Sequence, residues 1–145
     1  YWLAKSILHN DEDVKDAVQD SVLTAYEKLD TLRDEHSFKP WIMRILANTA
    51  YSMIRRSKPN TDIDSLAEEL PAPQDEDREE SMALWQAVRG LGESLRTVTV
   101  LFYYDDMPIK DISRALGITE GTVKARLSRA RAKLRIAMSE QEETL

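Results

Sequence analysis

The stretch from Pro108 to Arg135 constrains this chain more than any other, because it sets two apolar helical stripes on either side of one glycine and covers the second with cations. Ile109, Ile112 and Leu116 recur at helical spacing, as do Val123, Leu127, Ala130 and Leu134. Gly117 between them can take the left-handed conformation of a tight turn. Two short helices joined in this way read as a helix-turn-helix. From Lys110 to Arg135 eight Lys or Arg face two acids, Asp111 and Glu120, a net of +6 on a chain whose overall charge is −6. A cationic helix on an acidic protein suits the phosphates of duplex DNA, while the remaining surface repels other polyanions.

In such a motif the second helix enters the major groove, its first turns on base edges and its flanks on phosphates. Thr119 can cap that helix, and Glu120 sits well at its positive end. With Val123, Leu127 and Leu134 turned inward, Lys124, Ser128 and Arg131 share the outward face, and Arg126, Arg129 and Lys133 lie beside it. Lys or Arg can read guanine edges, and the others neutralise phosphate. A cationic helix standing alone would more simply be a solvated face; the preceding helix, the glycine turn and the charge asymmetry favour DNA.

Upstream, helical periodicity continues and strand signals are absent, so an all-α fold is expected. The chain opens in what reads as mid-helix without an initiating Met, so residues are expected to precede it. After a break at Asn10-Asp11, Val14, Val18, Val22, Ala25 and Leu29 recur every three or four residues, with Asp13, Asp16, Gln19, Asp20 and Glu27 on the other face. That spacing predicts an apolar stripe turned to the core and an acidic one turned to solvent. From His36 to Pro59 the sign reverses: Lys39, Arg44, Arg55, Arg56 and Lys58 occur and no acid does. Ser37 is a candidate N-cap, Pro40 fits a first turn, and Trp41, Ile45, Thr49 and Met53 share a face. Aromatics amid cations suit unstacked bases, although Phe38, Trp41 and Ile45 are read first as core. Asn48 can hydrogen-bond a base edge or its own helix.

Residues 60–80 hold nine acids and one base, Arg78, with Pro71 and Pro73 among them. Such a segment is a linker. Two small helical domains are therefore expected, residues 1–58 and 81–140, joined by an acidic linker, 59–80, and followed by a tail, 141–145. The second opens near Ser81 with Leu84, Trp85 and Val88, then Leu91, Leu95, Val98 and Phe102.

Most chemistry is disfavoured. The chain has no cysteine, which removes disulfides and thiolate metal sites. His9 and His36 stand in no zinc-ligand pattern, Asp105 and Asp106 lack a third ligand nearby, and no glycine-rich phosphate loop occurs. Neither an enzyme nor a bound cofactor or metal is expected. No apolar run approaches the roughly 20 residues that span a bilayer, and the chain reads as cytoplasmic without membrane insertion.

Taken in order, these segments resemble the extracytoplasmic-function (ECF) sigma factors, promoter-recognition subunits of bacterial RNA polymerase. Residues 13–22, DVKDAVQDSV, look like region 2.2 of that family; 38–50, FKPWIMRILANTA, like regions 2.3 and 2.4; and 117–131, GITEGTVKARLSRAR, like region 4.2. The likeness covers nearly the whole chain. Gly92 stands where the family usually carries a proline opening region 4.1, and the beginning of region 2.1 is absent.

The resemblance implies roles that residue types alone leave open. Asp16, Gln19 and Asp20 would meet the clamp helices of core RNA polymerase, whose flap is a further expected contact. The 30–37 loop and Asn48 would hold a base flipped from a locally melted minus-ten element, with Arg44, Arg55 and Arg56 on phosphates; unstacking costs a few kcal/mol that contacts must offset. Lys124, Ser128, Arg129 and Thr122 would meet the double-stranded minus-thirty-five element, and Arg126 and Arg131 its phosphates. The linker would thread the polymerase channel, and an anti-sigma factor would hold the protein inactive. Two other readings use the same residues: a free-standing helix-turn-helix regulator, and an adaptor that docks polymerase without reading DNA.

Overall fold

The computed structural model of the protein describes residues 1–56 and 76–143, and among these no strand occurs. Helix α1 (Trp2–Ile7) buries Leu3, Ala4 and Ile7, and its Ser6 hydroxyl donates to the Leu3 carbonyl at 2.7 Å. Helix α2 (Asp11–Glu27) starts at the expected break, where the Asn10 side chain accepts from the Asp13 N–H at 2.7 Å. That bond satisfies one of the donors every helix start leaves open. Two 3-10 turns, Leu29–Thr31 and Glu35–Ser37, lead into α3 (Phe38–Arg56). The second half holds α4 (Glu76–Arg89), α5 (Glu93–Thr99), α6 (Ile109–Leu116) and α7 (Glu120–Glu143). A π-helical turn, Val100–Tyr104, continues α5 directly.

Helix α2 is rotated from the orientation its apolar spacing predicts. Val14, Ala17 and Ser21 face inward, whereas Val18, Val22 and Leu29 are exposed, Val22 by 59%. The stripe that packs on α3 is made of small residues, which let two helix axes approach closely. Ser21 also carries its polarity inward at little cost, because its hydroxyl donates to the Ala17 carbonyl at 2.6 Å. On α3 the innermost face runs through Met43, Leu46, Ala47 and Ala50, and Trp41, Thr49 and Met53 flank it half-buried, with Ile45 buried beside them. Asp34 caps the 3-10 turn that leads into α3, its carboxylate accepting from the His36 N–H at 3.1 Å, and Ser37 ends that turn. Phe38, read as core, is 48% exposed.

The linker expected over 59–80 lies outside the described residues as far as 75. Its last five residues, 76–80, already belong to α4, and α7 runs through 143 rather than ending at 140. Glu79 and Glu80 near the start of α4 are favoured there by the helix dipole.

One apolar core joins the two halves. Leu3, Ile7, Val14, Met43 and Leu46 belong to the same cluster as Trp85, Val98, Leu101, Ile112, Val123 and Leu127. Helix α1 packs on α2, α3, α5 and the π-helical turn, and α3 packs on α6. Three rings close one end of this joint: Trp2 lies 5.1 Å from Trp85 and 5.3 Å from Tyr104, which are 4.9 Å apart. Such offset and edge-on pairs add to the gain from burial.

Candidate nucleic-acid interface

The α6–α7 turn is built as its sequence requires. Gly117 has φ 68° and ψ 34°, and its N–H donates to the Ser113 carbonyl at 2.9 Å. Ile118 N–H reaches the same oxygen at 3.2 Å, and the Ser113 hydroxyl donates to the Ile118 carbonyl. Thr119 then caps α7, its hydroxyl oxygen accepting from the Thr122 N–H at 3.1 Å. Ile112, Val123, Leu127 and Ala130 are buried to 2% exposure or less, with Ile109, Leu116 and Leu134 packed around them.

Burial of that face leaves the opposite one to solvent. Lys124, Ser128 and Arg129 are exposed on the first turns of α7, and Arg131 follows them one turn on. Arg126 is half-buried. Thr122 is also half-buried, with its hydroxyl engaged by that of Thr119 at 2.8 Å, so it belongs to the cap. The Arg131 guanidinium donates to the Tyr103 hydroxyl at 3.2 Å, a contact to the π-helical turn that sequence spacing does not reveal.

On the other half, Asp16, Gln19 and Asp20 are exposed on α2, and among them lie Val18, Val22, Leu23 and Tyr26, the last exposed by 80%. The face is thus acidic and apolar together. Leu23 and Tyr26 were missed by sequence reasoning; their signal is that they fall outside the helical stripe that could be buried. A notch of about 380 Å³ between α2 and α3 is lined by Asp20, Leu23 and Thr24 from one helix and Asn48, Ser52 and Arg56 from the other. Asp20 and Asn48, expected to serve different partners, therefore share one concavity, and none of residues 30–37 lines it. Arg44 and Arg55 are exposed outside it. The 28–37 segment is tied instead to the start of α3, where Trp41 Nε1 donates to the Thr31 hydroxyl at 3.2 Å, and the Phe38 ring lies 5.9 Å from that of Trp41.

The titratable group with unusual surroundings is elsewhere. Burial raises the Asp105 carboxyl above its ordinary value, partly offset by nearby Lys39 and by the Leu3 N–H. Burial likewise raises the Tyr104 phenol. Among the described residues no group of three or more His, Asp or Glu could hold a metal ion, and no helix is long and apolar enough to cross a membrane.

Comparison with known proteins matches both halves in order. Residues 1–59 match the family model of sigma-70 region 2, and residues 81–134 that of sigma-70 region 4. The RNA polymerase sigma factor SigV of Bacillus subtilis is 30% identical over 142 residues, 98% of this chain and 86% of that protein. The ECF RNA polymerase sigma factor SigM of Mycobacterium tuberculosis is 32% identical over 137 residues, 91% of this chain and 67% of that protein. Among solved structures, the sigma factor RpoE in complex with the anti-sigma factor NepR from Bartonella quintana superposes with a TM-score of 0.74 at 26% identity, covering 94% of this chain and 88% of that one. CnrH in complex with the cytosolic domain of CnrY gives 0.72 at 25% identity, covering 95% and 79%.

Proposed function

This chain belongs to the ECF family of RNA polymerase sigma factors, and from that membership we propose how its surfaces divide the work of directing core RNA polymerase to promoters. The face of α2 carrying Asp16, Gln19 and Asp20 docks the clamp helices of the polymerase. Exposed Val22, Leu23 and Tyr26 extend it with apolar area that a cationic amphipathic coiled coil can cover. Residues 1–58 read and help open the minus-ten element. Asn48 faces an unstacked base from the α2–α3 notch, while Arg44, Arg55 and Arg56 hold phosphates. Residues 81–140 read the minus-thirty-five element with Lys124, Ser128 and Arg129 in the major groove and Arg126 and Arg131 on the backbone.

The observation that carries this reading is the two-faced α7. Its Val123, Leu127 and Ala130 are buried while Lys124, Ser128 and Arg129, interleaved with them, are exposed at a capped helix start. A helix so held can enter a groove without disturbing its own core. The acidic linker follows the polymerase channel as a nucleic-acid mimic, and an anti-sigma factor is the natural antagonist, a reading supported by the solved neighbour in complex with the anti-sigma factor NepR. The protein acts in the cytoplasm, beside its template, and catalyses no reaction of its own.

The division of labour is tested by two double substitutions assayed for polymerase binding and for promoter selection. Asp16→Lys with Asp20→Lys is expected to weaken assembly with core polymerase at least tenfold while leaving the melting temperature within a few degrees. Lys124→Ala with Arg129→Ala is expected to abolish upstream-element preference and leave assembly intact. Equal loss of both activities in both variants contradicts the assignment, and retention of DNA binding without polymerase would favour a free-standing regulator.

A further inference from the structure

A cleft of about 1040 Å³ lies apart from the α2–α3 notch and is bordered by both halves of the chain. The first half contributes Trp2 and Lys5 of α1, and the second contributes Trp85 and Val88 of α4, Tyr104 of the π-helical turn and Leu134 of α7. Small-molecule sites favour such places, being concave, mostly apolar and often set where two domains meet. Of the residues assigned above to polymerase or promoter DNA, Arg131 alone borders it.

The lining suits a long, flexible guest. On α4 it runs from Ser81 to Val88 and on α7 from Arg131 to Met138, about two turns of each helix, or about 10 Å at 1.5 Å per residue. Met82 and Met138 carry thioethers that adapt to irregular contours. Trp2 and Leu84 are each 38% exposed here, and Tyr103 48%. Scattered singly, such side chains need no account, whereas gathered in one concavity they mark a binding surface. Tyr103 and Tyr104, consecutive in the π-helical turn, both border the cleft, and π-helical turns concentrate at functional sites.

The charge at this cleft has one sign. Lys5, Arg131 and Arg135 border it, and among the described residues that line it there is no acid. Lys5 and Arg131 are held by neutral partners, the Tyr1 hydroxyl at 3.4 Å and the Tyr103 hydroxyl at 3.2 Å, which leave their charge uncompensated. Lys5 belongs to α1, so the excess is not only that of cationic α7, and it runs against the net −6 of the chain. Long cationic side chains lay their stems on apolar surface and keep their heads in water. Trp85, 6% exposed, has no partner for its indole N–H, so the border also holds a donor that the chain itself leaves unsatisfied. We propose that the cleft binds a single-chain amphipathic anion, an alkyl carboxylate, whose chain lies between α4 and α7 and whose carboxylate sits at the mouth among Lys5, Arg131 and Arg135. A guanidinium pairs with a carboxylate through two parallel hydrogen bonds, and two such groups stand one turn apart on α7. The assignment does not depend on the promoter-directing role.

Isothermal titration calorimetry of the full chain with laurate, kept below its micelle-forming concentration, tests the assignment. One saturable site per chain is expected, with affinity at least tenfold above that for dodecyltrimethylammonium, which carries an equally long chain and the opposite charge. Arg135→Glu reverses a charge at the mouth, and Leu84→Glu sets an acid on the wall; each is expected to weaken laurate binding at least tenfold. Lys133→Glu makes the same charge change on α7 at an exposed residue outside the cleft and should leave binding within about twofold. Far-UV circular dichroism checks the fold of each variant, and if Leu84→Glu does not fold, Arg135→Glu against Lys133→Glu decides. Absence of saturable binding overturns the proposal, as does laurate binding by Arg135→Glu equal to that of the unsubstituted chain. Equal affinity for the two head groups also overturns it, since the cleft would then be apolar but unselective. Equal loss in Lys133→Glu and Arg135→Glu does the same, by making the attraction one of net charge rather than of place.

Discussion

At the scale of single residues, two positions show how differently a conformation and a charge are tolerated. Gly117 holds φ 68° with nothing within 4 Å of where a Cβ would stand, so its requirement is conformational alone. Gly117→Ala is expected to cost about 1–2 kcal/mol from left-handed strain, measured by urea unfolding, with α7 still seated on its core. Asp105 is the opposite case, a carboxyl raised by burial. The sign follows from linkage. A group that binds its proton more tightly when folded favours the folded state most below its unfolded pKa, and that contribution is lost as pH rises through the raised folded value. Asp105→Asn, which keeps the shape without the charge, is therefore expected to raise the melting temperature at pH 7, with the gain shrinking toward pH 4. A gain independent of pH would place the effect outside the carboxyl's ionisation.

At the scale of an element, α2 is the instructive helix because its sequence admits two orientations. Its apolar residues at 14, 18, 22 and 25 satisfy helical periodicity, and so do Val14, Ala17 and Ser21. Burying the larger stripe would remove more apolar surface from water, yet α2 presents the small one to α3. Ala17→Leu should then overpack the α2–α3 contact and destabilise by about 1–3 kcal/mol. Val22→Asp should stay within about 0.5 kcal/mol, as surface substitutions do, while weakening polymerase binding. A calorimetric comparison of the two variants decides the rotation; the reverse order of effects would turn the helix over. The start of the same helix was legible as a break at Asn10-Asp11, and the structure adds that the Asn10 side chain caps it. Asn10→Ala should cost about 1 kcal/mol, read from denaturant midpoints.

At the scale of the whole molecule, charge and core divide the chain differently. By charge it is two units, acidic α2 and linker against cationic α7, whereas by packing one apolar cluster runs from Leu3 to Leu127 through both. A core shared in this way couples the halves, so thermal unfolding of the free chain is expected as one cooperative transition. Ala17→Leu should lower the temperature at which the α5–α7 half melts as well as its own. Two separate calorimetric transitions, or a shift confined to the first half, would show the shared core to be energetically minor.

The sequence by itself determined what depends on neighbours along the chain: helical segments, the break at Asn10-Asp11, the Thr119 cap, the Gly117 turn, and the exposed cations of α7 between its buried Val123 and Leu127. It also determined the family, because three motifs in order carry more information than any one. Only the tertiary structure decided which face of α2 is covered, that Asp20 and Asn48 line one notch, that Thr122 serves a cap, that Arg131 meets Tyr103, and that Lys39 reaches across to Asp105. Periodicity reports that a face is apolar, but the shape of the partner surface selects among apolar faces, and that shape is assembled from residues distant in sequence.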